Sequence, residues 1–330
     1  MAASRNRPPE LKSPLAPRLA AFIAARQLAD TPCHVGLSGG CDSVSLLHLL
    51  VNLRLPGAIS AIHVHHGLSP YADAWAAFCE KLCAQWSVPL AVLRVQVAAG
   101  AGEGPEAAAR QARYAAFARH LPPGAPLFLA QHRGDQAETV LFNLLRGSGV
   151  QGLAAMRPQR QRQGLHLLRP LLGVSRQELE AYARAQDLCW IEDESNGDTR
   201  FSRNFLRQEI LPALSRRFPA AEANLAQAAV HCAEAAGLLD ELAAADWQGL
   251  AQGDAAGARG LRALSLARLK NLLRWRLRAL GWQVPATRRL EEFCRQIQSA
   301  GPDRHPELQL SEGCMRLGRG RLRWLARKVD

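Results

Sequence analysis

Residues Cys33–Leu50 read CHVGLSGGCDSVSLLHLL. A short apolar run, His34–Leu37, ends in Ser-Gly-Gly-x-Asp-Ser, and a leucine-rich segment of helical spacing begins at once. Gly39 and Gly40 let the backbone turn sharply and present its N–H groups. Those donors, the hydroxyls of Ser38 and Ser43 and the N-terminus of the next helix together make an anion nest. The stretch lacks the Gly-Lys-Ser/Thr ending of a Walker loop. Asp42 would repel a bare phosphate, so it reads as a Mg²⁺ ligand offsetting the charge of a triphosphate.

Working outward, apolar runs at His34–Leu37, Ile59–His65, Leu90–Val95, Leu127–Ala130 and Leu165–Arg169 alternate with helical patterns. The patterns cover Ser43–Leu53, Tyr71–Trp86, Glu106–His120 and Gln136–Leu145. This order predicts an α/β fold, a parallel sheet with helices on both faces, binding its ligand beyond the C-terminal strand ends. Ser175-x-x-Glu178 is a capping box opening a helix to about Gln186. Ala220–Ala245 is alanine-rich and helical. Ser265 can cap a helix whose apolar stripe is Leu266, Leu269, Leu273, Leu277 and Leu280, with Gly281 closing it. A helix over Ala286–Ser299 and a short hairpin follow. The expected organisation is a catalytic domain over 1–218 with a flexible tail over 1–16, a connecting helix over 219–245, and a mostly helical basic domain over 246–330.

The net charge is +12, and its distribution is uneven. Residues 1–254 carry 24 basic and 23 acidic side chains, whereas residues 255–330 carry 17 and 6. An excess confined to one end points to a module that meets a polyanion, nucleic acid first. Only four of the 41 basic residues are lysine, so a high-GC genome also inflates the arginine count. The eight cysteines form no Cys-x-x-Cys, which argues against zinc and iron–sulfur sites. No run of about 18 apolar residues occurs, and the Pro-rich start lacks the apolar core of a signal peptide. The expected location is the cytoplasm, with no membrane partner.

LSGGCDS resembles the signature of the PP-loop ATP pyrophosphatases, which cleave ATP between the α and β phosphates. Further segments narrow the resemblance: IHVHHGL at Ile62–Leu68, EAAARQARY at Glu106–Tyr114, AQHRGDQAET at Ala130–Thr139, RPLL at Arg169–Leu172 and WIEDESNGDTRFSRNFL at Trp190–Leu206. In this order they are similar to the tRNA(Ile)-lysidine synthetase family, closely over about residues 30–215 and more loosely over 216–330. The resemblance implies an ATP-dependent carbon–nitrogen ligase. ATP adenylates the carbon-2 oxygen of the cytidine at the first anticodon position of a CAU-anticodon isoleucine tRNA. The side-chain amine of free L-lysine then displaces AMP. ATP and Mg²⁺ are the implied cofactors, and a homodimer stays open.

The resemblance also distributes roles. Ser38, Gly39, Gly40, Asp42, Ser43, His66 and Arg110 are expected to bind ATP, with Asp42 on the metal. Asp135 and Glu138, i,i+3 on one helix face, suit the ammonium groups of lysine. Asp42, Arg110, His132, Asp135 and Glu138 form the expected catalytic set. The second-domain arginines Arg274, Arg278, Arg319 and Arg321, with Arg203, are the expected tRNA contacts. A helix-face pair between Glu106 and Arg110 competes with the phosphate role of the arginine. His63 and His65 share a strand face with no fourth ligand in view, which disfavours zinc.

The sequence departs from the family where His-His-x-Asp-Asp-Gln is common and QHRGDQ stands here, with Gln131 for the first His and Gly134 for the first Asp. Two alternatives follow: a PP-loop tRNA thiolation enzyme, which would want a cysteine pair, and a non-catalytic tRNA-binding paralogue. Family members often carry another C-terminal domain, so here the tRNA contacts are expected from one basic module and the catalytic domain, with salt-sensitive binding.

Overall fold

The computed structural model describes residues 13–97, 104–253, 255–301 and 304–327. Most of the expected tail thus lies outside the described residues, as does the Glu106 side chain expected to pair with Arg110. The chain divides into two compact units, Met1–Cys232 and Ala233–Asp330.

The first unit runs α1 (Leu15–Ala24), β1 (Cys33–Gly36), α2 (Cys41–Asn52), β2 (Ile59–His65), α3 (Ala72–Gln85), β3 (Leu90–Arg94) and α4 (Gly104–His120). It continues with β4 (Pro126–Phe128), α5 (Arg133–Leu145), α6 (Val150–Leu153), β5 (Gln159–Arg162), β6 (Leu165–Leu168) and α7 (Arg176–Ala185). The six strands are ordered β3-β2-β1-β4-β6-β5. All neighbours are parallel except the edge pair β5–β6. The sequence reading omits β5, because Gln-Arg-Gln-Arg carries no apolar alternation; an edge position tolerates that polarity.

Strand order reverses at β1, which pairs with β2 on one side and β4 on the other. At such a switch point the loops leaving the two strands run apart and open a crevice at their C-terminal ends. The β1 end delivers Ser38–Ser43 and the β4 end delivers Gln131–Asp135. Helices cover both faces. On one, Leu46, Leu47, Leu49 and Leu50 of α2 are fully buried against α1, α3 and α7. Burial at ~1.5–3 kcal/mol per such side chain anchors the helix whose first turn carries Asp42. On the other, Tyr114, Phe117 and Leu121 pack over Ile62, Leu127, Leu165 and Leu167.

After α7, the passage singled out as polar becomes α8 (Ser202–Phe205), a π-helical turn over Leu206–Ile210, α9 (Leu211–Arg217) and α10 (Ala221–Leu250). Pro212 has no N–H, and its ring crowds the carbonyl four residues back, which accounts for the widened turn before it.

The second unit, which begins within α10, adds β7 (Ala251–Gln252), β8 (Ala255–Gly257), α11 (Ala258–Ala263), α12 (Leu266–Ala279), α13 (Thr287–Ser299), β9 (Glu307–Gln309), β10 (Gly313–Gly318) and β11 (Arg321–Ala326). The expected terminal hairpin is β10–β11, but it belongs to a five-stranded sheet, β7-β8-β11-β10-β9. Ser265 caps α12, accepting from the Arg268 N–H at 3.3 Å, and Gly281 follows at φ +74°. The buried face of α12 is Leu269, Leu272, Leu273 and Leu277; Leu280 is exposed instead. Among the described residues no helix is long and apolar enough to cross a membrane.

Candidate active site

The turn after β1 is braced from within. Gly39 adopts φ +89°, and a Cβ there would stand 2.6 Å from Ile191 Cδ1 and 3.3 Å from Cys79 Sγ. Its carbonyl accepts from the Ile191 N–H at 2.9 Å, tying the loop to the segment after α7. The Ser43 hydroxyl accepts from the Ser38 N–H at 3.1 Å and donates to the Gly40 carbonyl at 3.0 Å. Ser43, expected as a phosphate contact, thus also braces the loop, its hydroxyl 3.0 Å from that of the exposed Ser38. The first turn of α2 supplies N–H groups that have no partner one turn back.

Asp42 lies in that turn. Its Oδ1 is enclosed and has no hydrogen-bond partner, while Oδ2 is 3.6 Å from His132 Nε2 and 3.9 Å from an Arg176 Nη. Burial pushes its carboxyl above the ordinary aspartate value, and attraction from His132 and Arg176 only partly opposes this. An enclosed, unpartnered carboxylate oxygen beside an anion nest fits a hard divalent cation. Among the described residues no cluster of three or more His, Cys, Asp or Glu could hold a metal. Such an ion would therefore take its other oxygens from phosphate and water, as Mg²⁺ commonly does.

His132 is the N-cap of α5. Its Nδ1 accepts from the Gly134 N–H at 3.0 Å, which leaves the ring proton on Nε2. Nε2 faces Asp42 and, at 3.7 Å, Asp135 Oδ2. Asp135 completes the capping box by accepting from the His132 N–H at 3.0 Å. Gly134 fits under this cap: a Cβ would stand 2.9 Å from His132 Cε1. Gln131, the other departure, accepts from Arg169 Nε at 3.0 Å.

Asp135 and Glu138 do lie on one face of α5, and Arg207 reaches both. Its Nε donates to Glu138 Oε1 at 2.6 Å, and an Nη donates to Asp135 Oδ1 at 2.9 Å and to Glu138 Oε2 at 3.1 Å. Glu138 is 2% exposed; burial pushes its carboxyl up, against the pull of Arg207. Arg207 and Arg176 are the residues sequence reasoning missed. Arg207 stands one residue past the quoted WIEDESNGDTRFSRNFL, within the π-helical turn that aims it at α5.

The other expected residues make contacts of their own. Arg110 lies 5.3 Å over the Tyr114 ring. Arg203 lies 5.8 Å over the Phe142 ring, and its charge reaches Glu138. His66 Nε2 accepts from Arg113 at 3.3 Å, and burial with the Arg113 charge pushes its pKa down to about 4, so the ring is neutral. In the second unit Arg278 pairs with Asp240, while Arg319 and Arg321 are exposed at the β10–β11 turn. Arg274 sits half-buried on α12, near Glu291.

A glycine turn leaving β1 and a helix start leaving β4 meet at the switch point of a parallel sheet, the arrangement of a nucleotide-binding α/β protein. Residues 11–214 match the PP-loop domain family, and residues 258–323 match the TilS substrate binding domain. The tRNA(Ile)-lysidine synthase of Pseudomonas putida is 48% identical over 307 residues, covering 89% of this chain and 70% of that one. That of Pseudomonas aeruginosa is 47% identical over 331 residues, covering 94% and 73%. The chain belongs to the tRNA(Ile)-lysidine synthase family. A solved U34-tRNA thiolase from Methanococcus maripaludis shares the fold, with TM-score 0.56 at 16% identity over 67% of this chain and 78% of that one.

Proposed function

We propose that this protein joins free L-lysine to carbon 2 of the cytidine at the first anticodon position of a CAU-anticodon isoleucine tRNA, consuming ATP. The observation that carries this reading is contiguity. The anion nest with Asp42 and the paired acids of α5 meet through one histidine, 3.6 Å from Asp42 and 3.7 Å from Asp135. Nucleotide grip and amine site therefore share a wall.

The chemistry runs in two balanced steps. The cytosine carbon-2 oxygen attacks the α-phosphorus of ATP, and pyrophosphate leaves. The lysine side-chain amine then attacks carbon 2, the carbon–oxygen bond breaks, AMP departs with the oxygen, and the amine loses a proton. Ser38, Gly39, Gly40 and the first turn of α2 hold phosphate oxygens, and Asp42 would hold Mg²⁺. Bound there, the ion would neutralise charge on the phosphates. Asp135 and Glu138 bind the ammonium groups of lysine. Each of their oxygens keeps acceptor capacity beyond the bonds to Arg207, which fixes both carboxylates in place. Holding amine and electrophile together supplies most of the rate gain such a site can give. Arg110 and His66 complete the nucleotide set, and Arg203, Arg274, Arg278, Arg319 and Arg321 contact tRNA. We place the protein in the cytoplasm and its domain limits near residues 218 and 246.

Sulfur transfer would want an accessible cysteine pair, and among the described residues Cys189 alone is exposed. Cys41 and Cys79, beside the loop, are buried, and burial pushes Cys79 up to about 12. The departures at 131 and 134 each have a structural place, which weakens the non-catalytic reading. Incubating the protein with ATP, labelled lysine and CAU-anticodon isoleucine tRNA should give tRNA-linked label and AMP. Asp42→Ala should abolish AMP release. Label that never reaches bound tRNA would overturn the reading.

A further inference from the structure

Arg169 is buried, 4% exposed, and its neighbours are neutral acceptors. Its Nε donates to Gln131 Oε1 and an Nη donates to the Arg157 carbonyl, both at 3.0 Å, and it also donates to the Tyr114 phenol. These bonds solvate the guanidinium without cancelling its charge. The same phenol gathers more cations. Arg162 lies 4.4 Å from the Tyr114 ring centroid and Arg110 lies 5.3 Å from it. Arg160, two residues before Arg162 on β5, stands close enough to act on Arg162 and Arg169 alike. Apart from the phenol, the charges bearing on these two are other arginines. Burial pushes the phenol pKa up, yet Arg110, Arg169 and Arg162 together outweigh it, and the net direction is down.

Gathering like charges with partial burial is costly unless an anion joins them. Guanidinium forks match phosphate oxygens in geometry as well as charge. β6 and β5 stand two and three strands from β1, about 10 and 14 Å at ordinary spacing. Arg160 and Arg162 therefore lie to the side of the Ser38–Ser43 turn, on an exposed edge strand where a polynucleotide can run past.

We infer that Arg162, half-exposed over the Tyr114 ring and backed by the buried charge of Arg169, binds a backbone phosphate of the RNA substrate at a subsite separate from the nucleotide loop. This rests on the tRNA-modifying reading above.

The test is binding without turnover. The affinity of CAU-anticodon isoleucine tRNA is measured between about 50 and 200 mM salt, with ATP affinity measured separately. Arg162→Gln should lower tRNA affinity about tenfold and flatten the salt slope by about 0.7–0.9, the loss of one phosphate contact. Arg162→Lys, which keeps the charge, should restore the slope. ATP affinity should not change, and Arg119→Gln, exposed near the end of α4, should match wild type. Unaltered tRNA affinity and slope in Arg162→Gln would overturn the subsite. So would a loss confined to ATP, which would assign the anion to the nucleotide. Wild type that binds no tRNA at all would instead overturn the function proposed above.

Discussion

Two adjacent glycines of the β1 turn play different parts. Gly39 has φ +89° and two side chains where a Cβ would go, whereas Gly40 has an extended backbone and its nearest neighbours at 3.6 Å and beyond. Gly39→Ala should cost about 1–3 kcal/mol in chemical denaturation and abolish ATP binding, because the left-handed turn is what aims the N–H groups. Gly40→Ala should keep wild-type stability within about 0.5 kcal/mol. Equal losses would show that the turn is not set by Gly39. A second residue-scale contrast concerns Arg207. Replacing it with Gln leaves Glu138 buried without the cation that hydrogen-bonds it. The expected loss is about 2 kcal/mol, short of a fully buried pair because Arg207 keeps a third of its side chain exposed. The same variant should raise lysine KM, since it frees two carboxylates the arginine holds in register.

At the scale of elements, α7 and the α8–α9 segment bring cations to the site from its far side. α7 starts with a capping box: the Glu178 N–H donates to Ser175 Oγ at 3.1 Å, and the Ser175 N–H donates to Glu178 Oε2 at 2.7 Å. Arg176, the next residue, faces Asp42. Ser175→Ala should cost about 1 kcal/mol and loosen Arg176, visible as a lower melting temperature with a modest rise in ATP KM. An unchanged melting temperature would mean the cap is redundant. The helices were legible in the sequence because leucine spacing and capping pairs are local. β5 was not, since QRQR shows no alternation and its strand state comes only from pairing with β6. The π-helical turn was not legible either, since Pro212 signals a disturbance without saying which side chain it re-aims.

For the whole molecule, the site carries a stability cost with a definite pH sign. Asp42 and Glu138 both titrate above their ordinary values, with burial the largest cause. Between the unfolded and folded pKa the native state holds more protons than the unfolded chain. Stability therefore falls as pH rises through that window and stays lower above it. Asp42→Asn removes one of these charges. It should melt above wild type at pH 7, with the gap closing as pH falls from the raised folded value down to the ordinary aspartate value of 3.8. A variant that melts lower at pH 7 would mean Arg176 and His132 more than offset the burial.

The alternation of strands and helices, the glycine turn with its hydroxyls, the i,i+3 acids of α5 and the concentration of net positive charge in the last 76 residues can all be read along the chain. These are short-range properties: periodicity, capping and backbone freedom act within a few residues. Packing of distant segments is what brings Asp42 to His132, sets Arg207 on Asp135 and Glu138, and turns the Ser43 hydroxyl inward to brace the turn. Those contacts join residues as far as about 90 positions apart. They depend on strand order at a switch point and on the aim of one widened helical turn, which no local pattern encodes.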